Sequence, residues 1–167
     1  MADNLTKEQR SYCMARVRVR GTAPELAMRS ELLKRGLKFR RNVRTLPGKP
    51  DVVFPIVKVA VFLDGDFWHG YRFPIWRGAV AKFWREKIAK NRDRDRRNFA
   101  KLRRMGWRVL RIWQHEIRRD LSSCADRIVS EHSAAVNAAR SARHQESQRA
   151  LVKGTPIRRL PGSSQTA

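Results

Sequence analysis

Three acids, one histidine and an aromatic run fall close together near the middle of the chain. Asp51 follows Pro50, Asp64 and Asp66 flank Gly65, and Phe67-Trp68-His69 comes directly after. Asp51–Pro55 and Lys58–Leu63 are rich in Val, Phe and Ile and read as strands. Only Ile56 and Val57 separate them, which leaves room for a hairpin between antiparallel neighbours. The start of one hairpin strand lies beside the end of its partner, so Asp51 and Asp64 are expected at one sheet edge. Two carboxylates there repel, and a hard divalent cation relieves the repulsion. Magnesium keeps several of its waters, so one or two acids and a backbone carbonyl suffice to hold it. Such an ion can bind a scissile phosphate and lower the pKa of a water. His69, with an ordinary imidazole pKa of about 6.5, could take the proton of that water. Asp after Pro, and Asp-Gly, are also common turn residues, so the acids by themselves are open to either reading.

Phe67 and Trp68 raise a second question. Adjacent residues of an extended segment point to opposite faces, so both cannot enter one core. Apolar side chains can instead act as a wedge that unstacks and kinks DNA. Ala79 to Met105 reads as a long helix closed by Gly106, and it carries ten Lys and Arg between Arg85 and Arg104 against Glu86, Asp93 and Asp95. Like charges at helical spacing destabilise an isolated helix, and a polyanion offsets them. Trp84, Lys87 and Asn91 stand at i, i+3 and i+7 on one face, a set able to stack on bases and bond their edges. Ile88, Phe99 and Leu102 lie on a different, core-like face. A plain solvated basic face is the competing explanation, since basic surface binds nucleic acid without reading it.

The elements that must position these groups follow from pattern. Leu5–Val17 reads as a short basic helix with Met14 as its largest apolar residue. Thr22 is placed as an N-cap, with Pro24 in the first turn and Glu25 three residues on, the spacing of a capping box. Leu26, Met28, Leu32 and Leu33 form an apolar stripe that ends at Gly36. Phe39–Val43 reads as a short strand, Leu46–Pro50 as a turn, and Trp107–Trp113 as a buried strand. Gln114–Leu121 begins a helix that the Ala-rich stretch Ala125–Leu151 extends, and from Gly154 the composition is that of a loose tail. Helix, three strands, helix, strand, helix is the order of an α/β sandwich around a mixed sheet.

Composition narrows the partner. The chain has 167 residues, with 38 Lys and Arg against 15 Asp and Glu, for a net charge of +23. That favours a polyanion, and nucleic acid ahead of a membrane surface. A hydrophobic content of 41% supports a real core. Val52–Leu63 is the longest apolar stretch, is interrupted by Pro55 and Lys58, and is too short to span a bilayer. Met1–Glu8 is polar, without a secretory apolar segment. Cys13 and Cys124 make neither a disulfide framework nor a zinc-spacing pattern, which fits a reducing cytoplasm.

Taken together, these residues resemble the very short patch repair (Vsr) family of DNA mismatch endonucleases, relatives of the type II restriction enzymes. The resemblance runs from about residue 8 to 121. It is carried by Arg10-Ser11 with Met14, Thr22-Ala23-Pro24-Glu25, Leu46-Pro47-Gly48-Lys49-Pro50-Asp51, Phe67-Trp68-His69, Phe83-Trp84, Glu86-Lys87-Ile88, Lys90-Asn91, Arg94-Asp95-Arg96-Arg97 and Gly106-Trp107-Arg108-Val109-Leu110. Each is short, but their order and spacing match together.

The resemblance implies an α/β, restriction-endonuclease-like three-layer sandwich with a central mixed β-sheet flanked by helices. It implies a magnesium-dependent nick 5′ to the thymine of a T:G mismatch in double-stranded DNA. Asp51 would be the principal metal ligand, with the main-chain carbonyl of Leu63, and His69 the general base. Glu25 would sit beside the metal's waters. Phe67, Trp68 and Trp84 would intercalate beside the mismatch, Lys87 and Asn91 would read it, and Met14 would approach from the minor-groove side. Asp64 stands where the family has a second histidine, adding a carboxylate that could be a further metal ligand. The family's structural zinc is expected to be absent, because Asp66, Tyr71 and Phe73 replace its ligands and near the later position there is His115 but no Cys. Packing by Tyr71, Phe73 and Trp76 is expected in its stead.

Residues 1–121 are expected to form the endonuclease domain, with helix 5–17 as a DNA-contacting arm. Residues 122–153 would be an Ala-rich helical extension and 154–167 a disordered tail. A monomer suffices to nick one strand, and a companion cytosine-5 DNA methyltransferase would set the sequence context; the expected location is cytoplasmic, at the nucleoid. Two other readings remain open from the residues: a restriction-like or structure-specific endonuclease with another target, and a non-catalytic basic DNA-binding protein.

Overall fold

The structure, a computed structural model, describes residues 6, 8, 9, 12, 15 and 21–153. The arm read over residues 5–17 lies mostly outside the described residues, Met14 with it; Glu8, Gln9, Tyr12 and Ala15 are helical. The tail from 154 also lies outside them.

Helix α1 spans Ala23–Lys34. Pro24 has no N–H to offer a cap, and the Thr22 hydroxyl instead donates to Glu25 Oε1 at 3.0 Å, while the Gly21 N–H donates to Glu25 Oε2 at 3.0 Å. The face it buries is Glu25, Met28, Arg29 and Leu32. Leu26 and Leu33, expected in the stripe, are exposed. Seven residues apart, they share a face, the one turned away from Met28 and Leu32.

A four-stranded mixed sheet follows, in the order β1-β2-β3-β4. Strand β1 is only Arg40–Arg41, cut short where Asn42 turns to a positive φ of 47°. Strands β2 (Val52–Phe54) and β3 (Val59–Asp64) form the expected antiparallel hairpin, with Val52 opposite Val61 and Phe54 opposite Val59. Helix α2 (Phe73–Trp76), a 3₁₀ turn (Arg77–Ala79) and helix α3 (Lys82–Arg104) then cross over to β4 (Arg108–Trp113). Strand β4 runs parallel to β3, with Phe62 beside Arg111 and Asp64 beside Trp113. As an edge strand it is only partly covered, with Ile112 alone fully buried. Helix α4 (Gln114–Arg119) does not run on into α5 (Leu121–Lys153). Asp120 breaks the pair in an extended conformation, and its carboxylate accepts from the N–H and hydroxyl of Ser123, capping α5.

The period-two alternation of the hairpin sorts the core into two layers. Val52, Phe54, Val59 and Val61 pack with Met28 and Leu32 of α1, Ile117 of α4 and Cys124, Ala125 and Ile128 of α5. Ala60 and Phe62 pack on the other face against Leu102 and Phe99 of α3. The sheet is thus flanked by helices on both faces, the restriction-endonuclease-like arrangement. The same alternation turns Asp51 and Asp64 toward the α3 face. No helix among the described residues is long and apolar enough to cross a membrane.

Ile128, fully buried between α5 and the sheet, tests how firmly α5 belongs to this core. Ile128→Ala should lower unfolding free energy by about 2–5 kcal/mol in urea titration. A change within about 0.5 kcal/mol, the range of ordinary surface substitutions, would mean that α5 is not docked as described.

Candidate active site

The Asp51 carboxylate reaches across the open end of the hairpin. The Asp51 N–H donates to Val61 O at 3.0 Å, and the Leu63 N–H donates to Asp51 Oδ2 at 2.8 Å. The N–H and C=O of one strand residue face the same neighbour, so the Leu63 carbonyl is turned to the Asp51 side as well. Burial pushes the Asp51 carboxyl up to about 7 from an ordinary 3.8, with the Glu25 and Asp64 carboxylates adding to the rise and the Leu63 N–H and Arg29 opposing it.

His69 lies in a tightly wound loop rather than an extended one. His69 N–H donates to Gly65 O at 3.1 Å, Gly70 N–H to Phe67 O at 3.2 Å, and Tyr71 N–H to Asp66 O at 2.8 Å. Gly70 has a φ of +66°, and a Cβ there would meet Arg92 Cδ and Ile88 Cγ2 at 2.8 Å. This close approach docks the loop on α3. Asp95 of α3 then meets the imidazole, with 2.6 Å between His69 Nδ1 and Asp95 Oδ2. On the other side of the ring, His69 Nε2 is 3.4 Å from Asp64 Oδ1. Arg111 of β4 closes the ring of charges, its Nε 2.6 Å from Asp64 Oδ2 and its Nη2 3.3 Å from Asp95 Oδ2. Burial raises the Asp64 carboxyl against the opposing pull of His69 and Arg111. Burial acts the same way on Asp95, but its bonds to His69 and Arg94 outweigh it and hold that carboxyl below the ordinary range.

Asp51, Asp64, His69, Glu25 and Asp95 all line one groove of about 740 Å³, which continues along Arg44, Lys49, Asn98 and Lys101. The four acids differ in their counter-charges. Glu25 is paired with Arg29 at 3.1 Å, and Asp64 and Asp95 share Arg111 and His69. Asp51 makes no ion pair among the described residues. A partly buried carboxylate with one N–H donor, a nearby strand carbonyl and no cation is a site that magnesium fits. The loop expected to do without zinc is held by other contacts. His115 Nδ1 is 2.5 Å from Asp66 Oδ1, and Tyr71 packs on the His115 ring at 4.3 Å and on Trp113 at 5.0 Å. Trp76 Nε1 donates to Tyr71 O at 2.6 Å, and the Trp76 ring lies 5.1 Å from Phe73.

Beside the acids stands an aromatic cluster. Phe67 and Trp68 meet edge to face at 5.0 Å, and Trp84 contacts both, at 5.7 and 5.6 Å. Lys87 Nζ lies 5.7 Å from the Trp84 ring centroid and 5.9 Å from that of Trp68. Asn91 Nδ2 donates to Trp68 O at 3.0 Å, so this amide braces the loop. The fold therefore gathers every expected site residue within the described part of the chain. It adds two that sequence reasoning did not single out, Asp95 and Arg111. Signals for both were present: Asp95 is four residues beyond Asn91 on the same helix face, and Arg111 interrupts the apolar run of β4.

Similarity to known proteins points to one family. The profile of the family described as DNA mismatch endonuclease Vsr matches residues 2–74. The chain is 39% identical over 129 residues to the type II nicking enzyme V.NmeDIP of Neisseria meningitidis serogroup C, covering 75% of this chain and 87% of that protein. It is 43% identical over 119 residues to the type II nicking enzyme V.XorIIP of Xanthomonas oryzae pv. oryzae, covering 70% and 88%. To the DNA mismatch endonuclease Vsr of Escherichia coli K12 it is 39% identical over 120 residues, covering 71% and 77%.

The raised carboxyl of Asp51 fixes the sign of a pH effect. Folding favours its protonated form, so its contribution to stability is undiminished below the unfolded value of about 3.9 and falls as pH rises toward 7. Asp51→Asn should therefore stabilise the metal-free protein relative to the parent by a margin that grows from pH 4 to 7 and levels off above, at about 2–4 kcal/mol. Magnesium should raise the melting temperature of the parent at pH 8 and leave Asp51→Asn unmoved. A margin independent of pH would contradict the charge balance described for Asp51.

Proposed function

The chain belongs to the Vsr family of DNA mismatch endonucleases, and we propose that it nicks one strand of duplex DNA 5′ to the thymine of a T:G mismatch, in very short patch repair, by magnesium-dependent hydrolysis of a phosphodiester. The observation that carries this reading is the groove in which an Asp51 carboxylate with no ion pair among the described residues, braced by the Leu63 N–H, lies near an imidazole clamped between two carboxylates.

Asp51 and the Leu63 carbonyl would hold the magnesium ion. When bound, that ion supplies charge stabilisation at the scissile phosphate and acidifies a water. With the Nδ1 proton donated to Asp95, His69 Nε2 is left as the acceptor for the proton of the attacking water. The Asp95 carboxylate then stabilises the imidazolium that forms. Asp64, expected as a further ligand, is committed to Arg111, and in this reading its carboxylate beside Nε2 favours the imidazolium once the proton has been taken. Glu25 sits at the groove wall, held by Arg29 and the Gly21 N–H.

Phe67, Trp68 and Trp84 form the wedge. Aromatic faces stack on bases whatever the sequence, so the wedge opens the duplex where pairing is weakest. Lys87, over the aromatic rings, and Asn91, braced on Trp68, stand where they would meet the opened pair. The basic surface of α3 supplies phosphate contacts and salt-dependent affinity. One centre per chain cuts one strand, so a monomer is enough. The sequence context would follow that of a companion cytosine-5 methyltransferase, and the enzyme would act in the cytoplasm on the nucleoid.

End-labelled duplexes carrying T:G, T:C or T:A at one position provide the test. The T:G duplex should be nicked on the thymine strand in magnesium and left whole in EDTA. His69→Ala should slow the cut by about 10²–10⁴-fold, and Asp51→Ala should abolish it while binding persists. Equal cutting of the matched duplex would replace this reading with a restriction-like nuclease. Binding without any cut would replace it with a DNA-binding module.

A further inference from the structure

Asp64, His69 and Asp95 offer ligand atoms that all lie within 4.8 Å of one another, and both acids are buried, at 5% and 7% exposure. Two buried carboxylates so close repel, and a cation between them relieves the repulsion. In another protein this set would suit a divalent ion. Here Arg111 stands on the same ground. The register of Arg111 beside Phe62 puts its side chain on the face of the sheet that carries Phe62 and Asp64. Its Nε is 2.6 Å from Asp64 Oδ2 and its Nη2 is 3.3 Å from Asp95 Oδ2, so one guanidinium spans both acids. The guanidinium is held in turn by rings: its Cζ is 4.1 Å from the centroid of Trp113 and 5.3 Å from that of Phe99.

We propose that Arg111 is a built-in cation for the Asp64–Asp95 pair, a positioning residue whose guanidinium takes the place that a second metal ion would otherwise occupy beside His69. The inference rests on the reading of Asp51 as the magnesium site and adds that it is the one divalent-ion site among the described residues in the absence of DNA. A guanidinium stays charged at every relevant pH and its planar fork can meet two carboxylates at once. It therefore fixes both acids, and through them the imidazole, whether or not a metal is present. A divalent ion entering the triad would sit within a few ångströms of that fixed positive charge and is repelled.

Counting manganese ions by electron paramagnetic resonance, on the full DNA-free chain at pH 8, tests this. The parent should hold one ion and Asp51→Asn none. Asp51→Asn combined with Arg111→Met should regain one, at least tenfold more tightly bound than any in Asp51→Asn alone. Adding Asp64→Asn should remove it again. Arg111→Lys, which keeps a charge, should bind no ion beyond the parent's count. A merely structural arginine would leave all these counts unchanged. The proposal is overturned if Asp51→Asn still holds an ion that Asp64→Asn removes, or if the Arg111→Met double variant binds no more than Asp51→Asn. Should Arg111→Met fail to fold, the parent and Asp64→Asn decide: equal counts support the proposal and a lower count in Asp64→Asn overturns it. A parent whose ion survives Asp51→Asn and Asp64→Asn alike would instead sink the assignment of Asp51, and the comparison between the Arg111 variants would still stand.

Discussion

Four carboxylates turn inward at one end of a small sheet, in a chain whose surface is overwhelmingly positive. Their mutual repulsion is the constraint on which the site depends. It is met locally for three of them. Glu25 has Arg29 one helical turn away, and Asp64 and Asp95 have Arg111 and His69. Among the described residues, the Asp51 carboxylate has the Leu63 N–H alone at hydrogen-bonding distance. Burial outweighs the Leu63 N–H and the pull of Arg29 and leaves the Asp51 carboxyl near neutrality; burial also raises Asp64 despite its partners, whereas the bonds of Asp95 to His69 and Arg94 overcome burial and hold that carboxyl down. The same imbalance marks the point where an external cation gains most by binding. A uniformly compensated cluster would be a structural ion-pair network, and a wholly uncompensated one would destabilise the fold.

The part of this arrangement carried by local pattern was legible in the sequence. Period-two apolar residues around a connection only a few residues long force the hairpin, and the hairpin forces Asp51 beside the end of β3. What escaped was set by packing between distant elements. Asp95 reads as one more charge in a highly charged helix until the helix is laid across the loop that carries His69. Arg111 reads only as a break in the apolar run of a buried strand until β4 is seen to run parallel to β3 with Phe62 as its neighbour. The leucines of α1 mislead in the opposite sense. Leu26 and Leu33 are apolar yet exposed, and the buried face includes the Glu25–Arg29 pair, because that helix closes one wall of the groove as well as the core.

The loop after β3 resolves the difficulty posed by two adjacent aromatics. It winds through turn-like hydrogen bonds from Gly65 to Tyr71, so Phe67 and Trp68 are not forced to opposite faces and can meet edge to face over Trp84. Winding of this kind needs an anchor at its far end. The Asp66–His115 pair under the Tyr71 ring provides one, joining the loop to the start of α4 without soft metal ligands. Both partners are partly exposed, so the anchor is held as much by the Tyr71 ring packed on His115 and Trp113, and by the Trp76 Nε1 bond to the Tyr71 carbonyl, as by charge.

Helix α3 ties the aromatic cluster to the acids with a single periodicity. Lys87, Asn91 and Asp95 are spaced by four residues and so share one face. Lys87 lies over the Trp68 ring, Asn91 bonds the Trp68 carbonyl, and Asp95 bonds the His69 imidazole. Three successive turns of one helix thus hold two adjacent residues of one loop, Trp68 and His69. The positions of the Trp68 ring and the His69 imidazole are consequently set by the same two elements, and neither can shift far without straining the bonds that fix the other. Gly70 makes that coupling possible, because any side chain there would lift the loop off Ile88 and Arg92 and separate both residues from the helix at once. The geometry that aligns the imidazole is for that reason inseparable from the geometry that holds the aromatic cluster.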